Sequence, residues 1–374
     1  MKRFKIFVVA AMTLLLMGQG LYGQDDIIFR RHIIKSGYHG LLYGIAADVI
    51  FEIDGAAAAG IPVITAGASV LIPLLTNSDK SIDFDAMILS GHGKSIGWAH
   101  GFSVAALAFG ENLFDEDKYK LTVGMGALSS IGGGFLGKGL AKNNLWSEGR
   151  VELYRHYGWV MPFAGFSTVA ALTDDIRLSA AAVLLSGAGG YFIAGKVSDW
   201  SDYTRGEVRA TQTLAALNLG LGYGIMLDVL GEADEPDPRH TVYPALGALT
   251  GTVMGHLYNR NLGFTPQQGM LTAYAAGGGA IIGLGVALMT ESESITPYYL
   301  IPYLTGLGSY IASVEILKRK SPSYSLHEGG NGSDFHVTFM PQNLFVNEKI
   351  EERGFMLNGR YVGMQPLFAA TLRF

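Results

Sequence analysis

The stretch TPQQGMLTAYAAGGGAIIG, residues 265–283, decides the fold class that the sequence predicts. It opens with Thr265 and Pro266, and Gln268 follows three residues after the threonine. This pattern is typical of a helix N-terminus, where the threonine hydroxyl accepts hydrogen bonds from unpaired backbone N–H groups and proline takes the first helical position. Because a β-strand has no use for such a cap, the stretch predicts an α-helix.

The same start signal recurs along the chain, each time with a glycine eighteen residues later. The segments are 83–101, 147–165, 204–222 and 265–283, with a fainter copy from Asp26. Apolar segments follow them at 58–76, 120–141, 176–196, 241–258 and 297–317. Pairing each capped segment with the next apolar one predicts a repeat of about five helical hairpins over residues 24–320. A helix of about 25 residues also spans the ~30 Å hydrocarbon core of a bilayer.

Small residues recur at every fourth position in several of these segments, which places them on one helix face. Such a face lets two backbones approach closely, as in the GxxxG packing of membrane helices. In a water-soluble helix each internal glycine would cost about 1 kcal/mol relative to alanine, although a tightly packed soluble α-solenoid remains an alternative. The glycines expected at helix contacts are Gly93, Gly97, Gly101, Gly220, Gly224, Gly247, Gly251, Gly255, Gly279 and Gly283.

An outer-membrane β-barrel is the alternative fold class. Residues 217–225, LNLGLGYGI, alternate between apolar and other residues as a barrel strand would. We favour helices because the caps and the four-residue glycine period recur in several segments. Alanine runs such as residues 56–59 also suit strands poorly.

The composition excludes several classes of protein. Of 374 residues, 51 are glycine and only 16% are charged, while 49% are hydrophobic. Typical soluble domains carry about 25% charged residues, so a disordered chain is excluded and an ordinary soluble enzyme is disfavoured. A net charge of −5 provides no basic field for nucleic acid. The absence of cysteine excludes disulfides, thiolate nucleophiles and a lipoprotein anchor.

The N-terminus has the three-part pattern of a secretory signal peptide over residues 1–23. Lys2, Arg3 and Lys5 precede an unbroken apolar run over residues 7–17, and small residues follow. An uncleaved anchor is the alternative, but the run is short for a membrane span. The sequence therefore predicts an exported protein.

The charges at the two ends of the predicted hairpins conflict with the signal peptide if the protein lies in the inner membrane. The turns within the hairpins are acidic, whereas the opposite ends carry more basic than acidic residues. In an inner-membrane protein the basic ends face the cytoplasm, yet a cleaved signal peptide would put those ends outside. Assembly in the outer membrane or periplasm of a Gram-negative-type envelope resolves this conflict.

The C-terminal region changes character after residue 320. Residues 321–334 are polar and glycine-rich, which predicts a linker, and residues 335–374 predict a short β tail. The last residues, FAATLRF, alternate and end in Phe374. This ending resembles the final strand of bacterial outer-membrane proteins, and the resemblance implies recognition by the outer-membrane assembly machinery. An ordinary edge strand is the other interpretation.

Six polar residues fall at membrane depth within the predicted helices. Such residues either line a polar pathway or bond neighbouring helices. They are Asp48, Lys94, His100, Asn218, Asp228 and His256.

No catalytic motif appears in the sequence, so we expect no catalytic residue, cofactor or metal. The stretch SGHGKS, residues 90–95, resembles the end of a P-loop but has Ile88 where that motif needs a glycine. The predicted function is a structural or scaffolding role without catalysis, with membrane lipid as partner and a homo-oligomer left open. The alternative is a channel or transporter that passes small solutes between helices or through a barrel lumen.

Overall fold

The computed structural model describes residues 24–76, 84–143, 146–231, 238–319, 334–339 and 368–373. Contacts divide the chain into two compact units, Met1–Ser323 and Tyr324–Phe374. The described residues of the first unit form helices and include no strand, so the predicted all-α class is confirmed for them. The predicted signal peptide, linker residues 321–333 and Phe374 lie outside the described residues.

Ten α-helices make up the described part of the first unit. They are α1 (Gln24–Phe51), α2 (Gly55–Thr76), α3 (Phe84–Phe109), α4 (Tyr119–Asn143), α5 (Glu148–Ala170), α6 (Ile176–Trp200), α7 (Arg205–Gly231), α8 (Val242–Asn259), α9 (Pro266–Met289) and α10 (Thr296–Lys318). Short 3-10 turns follow α3 at Gly110–Phe114 and precede α8 at Pro238–Thr241. Residues 217–225, whose alternation suggested a barrel strand, lie within α7.

Each odd-numbered helix packs most extensively against the even-numbered helix that follows it. The two run antiparallel: Gly93, Gly97 and Gly101 of α3 face residues 133, 129 and 125 of α4 in that order. The first helix of each hairpin also contacts both helices of the next hairpin. Five hairpins therefore stack in chain order within the described residues.

Side-chain caps begin several of the odd-numbered helices. Thr265 and Gln268 form a reciprocal capping box at α9, in which each side chain bonds the backbone N–H of the other. Thr204 and Glu207 do the same at α7. At α5, Ser147 accepts a hydrogen bond from a backbone N–H. These bonds satisfy N–H groups that the first helical turn leaves without partners.

The start of α10 has no side-chain cap. The pattern of Thr296 followed by Pro297 suggests an N-cap, but Thr296 is the first helical residue and Ile295 precedes it without a side-chain cap. The Thr296 hydroxyl instead donates to Oδ2 of Asp228 in α7, 2.8 Å away. The Asp228 carboxylate of α7 thus binds the Thr296 hydroxyl, which would otherwise be available to cap α10.

The array exposes many large apolar side chains and buries many polar ones beside its apolar clusters. Thr122, Thr211 and Asn259 are completely buried, as are Leu153 and Phe264, whereas Leu185 and Phe192 of α6 are 74% and 68% exposed. Water-soluble proteins rarely expose large contiguous apolar surfaces. Helices α6, α7, α9 and α10 are each long and apolar enough to cross a membrane.

The second unit contains two described strands. β1 (Asp334–Phe339) pairs antiparallel with β2 (Phe368–Arg373), so that Asp334 lies opposite Arg373 and Phe339 opposite Phe368. β1 therefore begins at the last residue assigned to the predicted linker.

Candidate functional site

Close approach of helix backbones occurs in every hairpin. At eight of the predicted contact glycines, an added Cβ would overlap atoms of the other helix in the same hairpin: Gly93, Gly97, Gly101, Gly247, Gly251, Gly255, Gly279 and Gly283. At Gly97, for example, the Cβ would lie 2.7 Å from the Cα of Ser130. Any larger side chain at these positions would force the two helices apart.

Helix α7 departs from the expected glycine face. Gly222, not Gly220, approaches α8, since a Cβ there would lie 2.7 Å from the Cα of Pro244. A Cβ on Gly220 would meet nothing within 4 Å, and one on Gly224 would overlap the ring of Tyr299 in α10. The four-residue spacing identifies a shared face correctly, but it does not tell which neighbour that face meets.

Polar side chains link successive hairpins by a recurring rule. In each case the first helix of one hairpin bonds the second helix of the next. The pairs are Tyr43 Oη with Ser130 Oγ (2.8 Å), His92 Nε2 with Tyr191 Oη (3.0 Å), Tyr157 Oη with His256 Nε2 (2.9 Å) and Tyr303 Oη with Asn218 Oδ1 (3.2 Å). These bonds tie neighbouring hairpins together across their buried faces.

The six predicted polar residues do not converge on one site. Three of them bond side chains of other elements, and these are Asn218, Asp228 and His256. Oδ2 of Asp228 accepts hydrogen bonds from both Thr296 and Tyr299 of α10. Interhelical bonding, one of the two predicted roles, thus describes these three residues.

The other three lie in the first two hairpins, Asp48 in α1 and Lys94 and His100 in α3. Among the described residues, Oδ1 of Asp48 and Nε2 of His100 are buried atoms without a hydrogen-bond partner. The Lys94 side chain passes over Gly134 of α4.

His256 joins two parts of the chain at once. Besides its bond to Tyr157, its Nδ1 lies 3.0 Å from the hydroxyl of Tyr203, which sits between α6 and α7. Burial, assisted by the nearby Glu207 carboxylate, raises the pKa of Tyr203. The Tyr203 hydroxyl therefore stays protonated and can donate to the imidazole.

Sequence analysis missed a buried ionic cluster at the end of the array where the odd-numbered helices begin. Glu152 of α5 is completely buried, and three guanidinium groups surround its carboxylate. The nitrogen–oxygen distances are 3.2 Å to Arg155, 3.8 Å to Arg205 and 3.8 Å to Arg209. A carboxylate buried in this way is stable only with such partners.

The cluster extends through Arg205 to one further helix, α3, and to the start of α5. Its guanidinium lies 3.2 Å from Asp85 of α3 and 3.5 Å from Glu148 of α5. The charge spacing along α5 and α7 was the available signal, since Glu148, Glu152 and Arg155 fall on one helix face. The spacing within one helix does not show that these charges meet across three helices.

A cleft of about 630 Å³ lies between α7, α9 and α10. Residues with small side chains form its floor. These are Ala216 and Gly220 from α7 and Gly277 and Ala280 from α9. Arg155 and Arg209 line the cleft as well, and so do three tyrosines near the start of α10, Tyr298, Tyr299 and Tyr303.

No family model, curated protein or solved structure matches the chain. Within the described ranges, no three His, Asp or Glu side chains are grouped closely enough to hold a metal ion. Function is therefore inferred from the geometry of the helical array itself.

Proposed function

We propose that this chain is an exported cell-envelope protein whose helical array is integral to, or associated with, the outer membrane. Its role is structural or scaffolding, without catalysis. The observation that carries the proposal is the exposure of many large apolar side chains, such as Leu185 and Phe192 of α6, on an array that buries many polar ones. In water, so large an apolar surface would promote aggregation, whereas lipid tails solvate it.

The mode of helix packing supports the same conclusion. In lipid, burial of apolar surface cannot hold helices together, so close van der Waals contact and interhelical hydrogen bonds must do so. The array has both, in the overlapping glycine faces and in the bonds between hairpins such as that of Tyr157 with His256.

The polar contacts favour a structural role. Glu152 and its arginines connect α5 with α7, and Asp228 connects α7 with α10. These groups hold helices to one another. A membrane array fixed in this way would serve as a rigid platform in the envelope, with assembly into homo-oligomers as a further possibility to test.

Export and outer-membrane delivery are supported by the two ends of the sequence. The signal-peptide pattern of residues 1–23 supports secretion, and the alternating segment 368–374 is the part expected to engage outer-membrane assembly machinery. Sedimentation of separated envelope membranes tests this location. Recovery of the chain in the inner-membrane fraction would overturn it.

Embedding is tested with single cysteines, because the natural chain contains none. Leu185→Cys and Phe192→Cys place the thiol on the exposed apolar face of α6, and Asp117→Cys places it in the turn before α4. In opened membrane fragments, a membrane-impermeant maleimide should label position 117 and leave 185 and 192 unmodified until detergent is added. Equal labelling at all three positions would contradict embedding.

A second candidate function is passage of small solutes. The observation in its favour is the pair of buried, unpartnered polar atoms on Asp48 and His100, since such groups at membrane depth commonly contact water or a solute. Liposomes containing the protein should then leak small solutes, and Asp48 or His100 substitutions should change the rate. Tight liposomes would eliminate this candidate.

A further inference from the structure

The cleft between α7, α9 and α10 is long and narrow. Along α7 its lining runs from Arg209 to Leu221, twelve residues on, which corresponds to about 18 Å of helix. That length exceeds half of the ~30 Å hydrocarbon core of a bilayer. Alanines and glycines dominate the floor, so the shape suits an extended alkyl chain.

The glycines of the floor keep the cleft open and are not needed for helix contact. A Cβ on Gly220 or Gly277 would meet nothing within 4 Å. Gly279, only two residues after Gly277, lies instead against Thr305 and Ser309 of α10, where a Cβ would overlap. Gly220 and Gly277 are also exposed, so the cleft opens sideways to the surroundings of the array.

Two arginines lie at one end of the cleft. Arg155 and Arg209 both line it, and both lie against the buried carboxylate of Glu152. The third arginine of the cluster, Arg205, lies against Glu152 as well and also against Asp85 and Glu148, which are not part of the cleft lining. The guanidinium groups of Arg155 and Arg209 are therefore the charged groups at this end of the cleft lining.

We propose that the cleft binds one anionic phospholipid of the surrounding membrane. The phosphate headgroup lies at Arg155 and Arg209, and an acyl chain lies along the floor formed by Gly220 and Gly277. Guanidinium groups are well suited to phosphate, and basic pockets between membrane helices bind anionic headgroups. This inference rests on the proposed membrane location, because only there does the open side of the cleft face lipid.

The test uses the purified full chain in non-ionic detergent, mixed with equimolar phosphatidylglycerol and phosphatidylcholine of the same acyl composition. Native mass spectrometry should show one phosphatidylglycerol retained per chain in preference to phosphatidylcholine. Gly277→Leu fills the cleft and should weaken this binding at least about tenfold. The matched control is Gly278→Leu, whose side chain also enters open space but lies outside the cleft lining, and it should bind as the natural chain does.

Arg155→Gln tests the headgroup end separately. It should bring retention of the two lipids close to equal, whereas Arg155→Lys should keep part of the preference for phosphatidylglycerol. Equal retention of both lipids by the natural chain would overturn the proposal, and so would undiminished binding by Gly277→Leu. If Ala273→Cys in the cleft forms disulfide dimers in membranes at the expense of lipid binding, the occupant is a second copy and the proposal also fails.

Failure of this inference is distinguishable from failure of the proposed function. Cysteines at 185 and 192 report embedding independently of any lipid preference. If the cysteines at 185 and 192 are protected but no lipid is retained selectively, only the lipid-binding proposal for the cleft fails. If those cysteines are freely labelled, the proposed membrane location fails.

Discussion

At the scale of single residues, we expect substitutions at two adjacent glycines of α4 to change stability in opposite ways. A Cβ on Gly133 would overlap the backbone of Gly93, while one on Gly132 would meet nothing within 4 Å. Gly133→Ala should therefore lower the free energy of unfolding by about 1–3 kcal/mol through overpacking. Gly132→Ala should leave it unchanged or raise it by up to about 1 kcal/mol, because alanine is the better helix former.

Chemical denaturation in detergent, followed by the loss of helical circular dichroism, measures both values. The neighbouring position is a close control because it shares the helix, the residue type and the substitution. Equal effects at 132 and 133 would show that the two helices do not approach as the structure has them.

The buried carboxylate of Glu152 should dominate its cluster. Glu152→Gln leaves three guanidinium groups without the charge that they surround, and breaking such a buried arrangement costs about 3 kcal/mol of unfolding free energy. Glu148→Gln is the control, because its side chain is 55% exposed and exposed ion pairs contribute about 1 kcal/mol or less. Thermal unfolding of the two variants compares them, and a larger loss for Glu148→Gln would contradict this arrangement.

What the sequence revealed at this scale was local chemistry. The capping pairs at Thr204 and Thr265 were predictable, since each depends on residues within one helical turn. The open space beside Gly220 and the contact of Gly222 with α8 were not predictable, because a helix face can meet any neighbour. Glu152 and Arg205 escaped notice for the same reason: their pairing depends on how α5 and α7 stack, and that follows only from the tertiary fold.

At the scale of helices, the bond between Tyr157 and His256 should couple the third and fourth hairpins. A double-mutant cycle with Tyr157→Phe and His256→Phe should give a coupling of about 1 kcal/mol, the size typical of interhelical hydrogen bonds in membrane proteins. The comparison cycle pairs Tyr157→Phe with Tyr303→Phe, whose hydroxyl donates to Asn218 instead. In that cycle the changes in unfolding free energy should add to within about 0.5 kcal/mol.

Unfolding free energies of the single and double variants supply both couplings. An additive result for Tyr157 and His256 would mean that their contact contributes nothing to the stacking of the hairpins.

The helical segments were more predictable than the way they assemble. The predicted apolar segment 176–196 corresponds to α6 (Ile176–Trp200), and 297–317 corresponds to α10 (Thr296–Lys318), because caps and apolar runs mark where helices begin and end. The contact of each first helix with both helices of the next hairpin had no local signature. It arises from tyrosine, histidine and asparagine side chains that meet only after the hairpins have formed.

At the scale of the whole molecule, the outward-facing apolar side chains and the inward-facing polar ones form one consistent pattern. Polar bonds, close backbone contact and small apolar clusters stabilise the interior, so many large apolar side chains can lie on the outer face. This arrangement explains why the helices lack a strong one-sided apolar stripe. Lipid and the interior of the array are similar in polarity, whereas water and the core of a soluble protein differ strongly. The low content of charged residues, 16%, has the same origin.

The division of the chain into two units yields the last prediction. Because residues 324–374 form a compact unit of their own, their deletion should leave the helical circular dichroism and the unfolding midpoint of the array unchanged. If the terminal strand directs assembly, the shortened chain should nevertheless disappear from the outer-membrane fraction and accumulate in the periplasm. Phe374→Tyr keeps an aromatic end and should localise normally, whereas Phe374→Ser should behave like the deletion. A shortened chain that still sediments with the outer membrane would show that the helical array alone determines its destination.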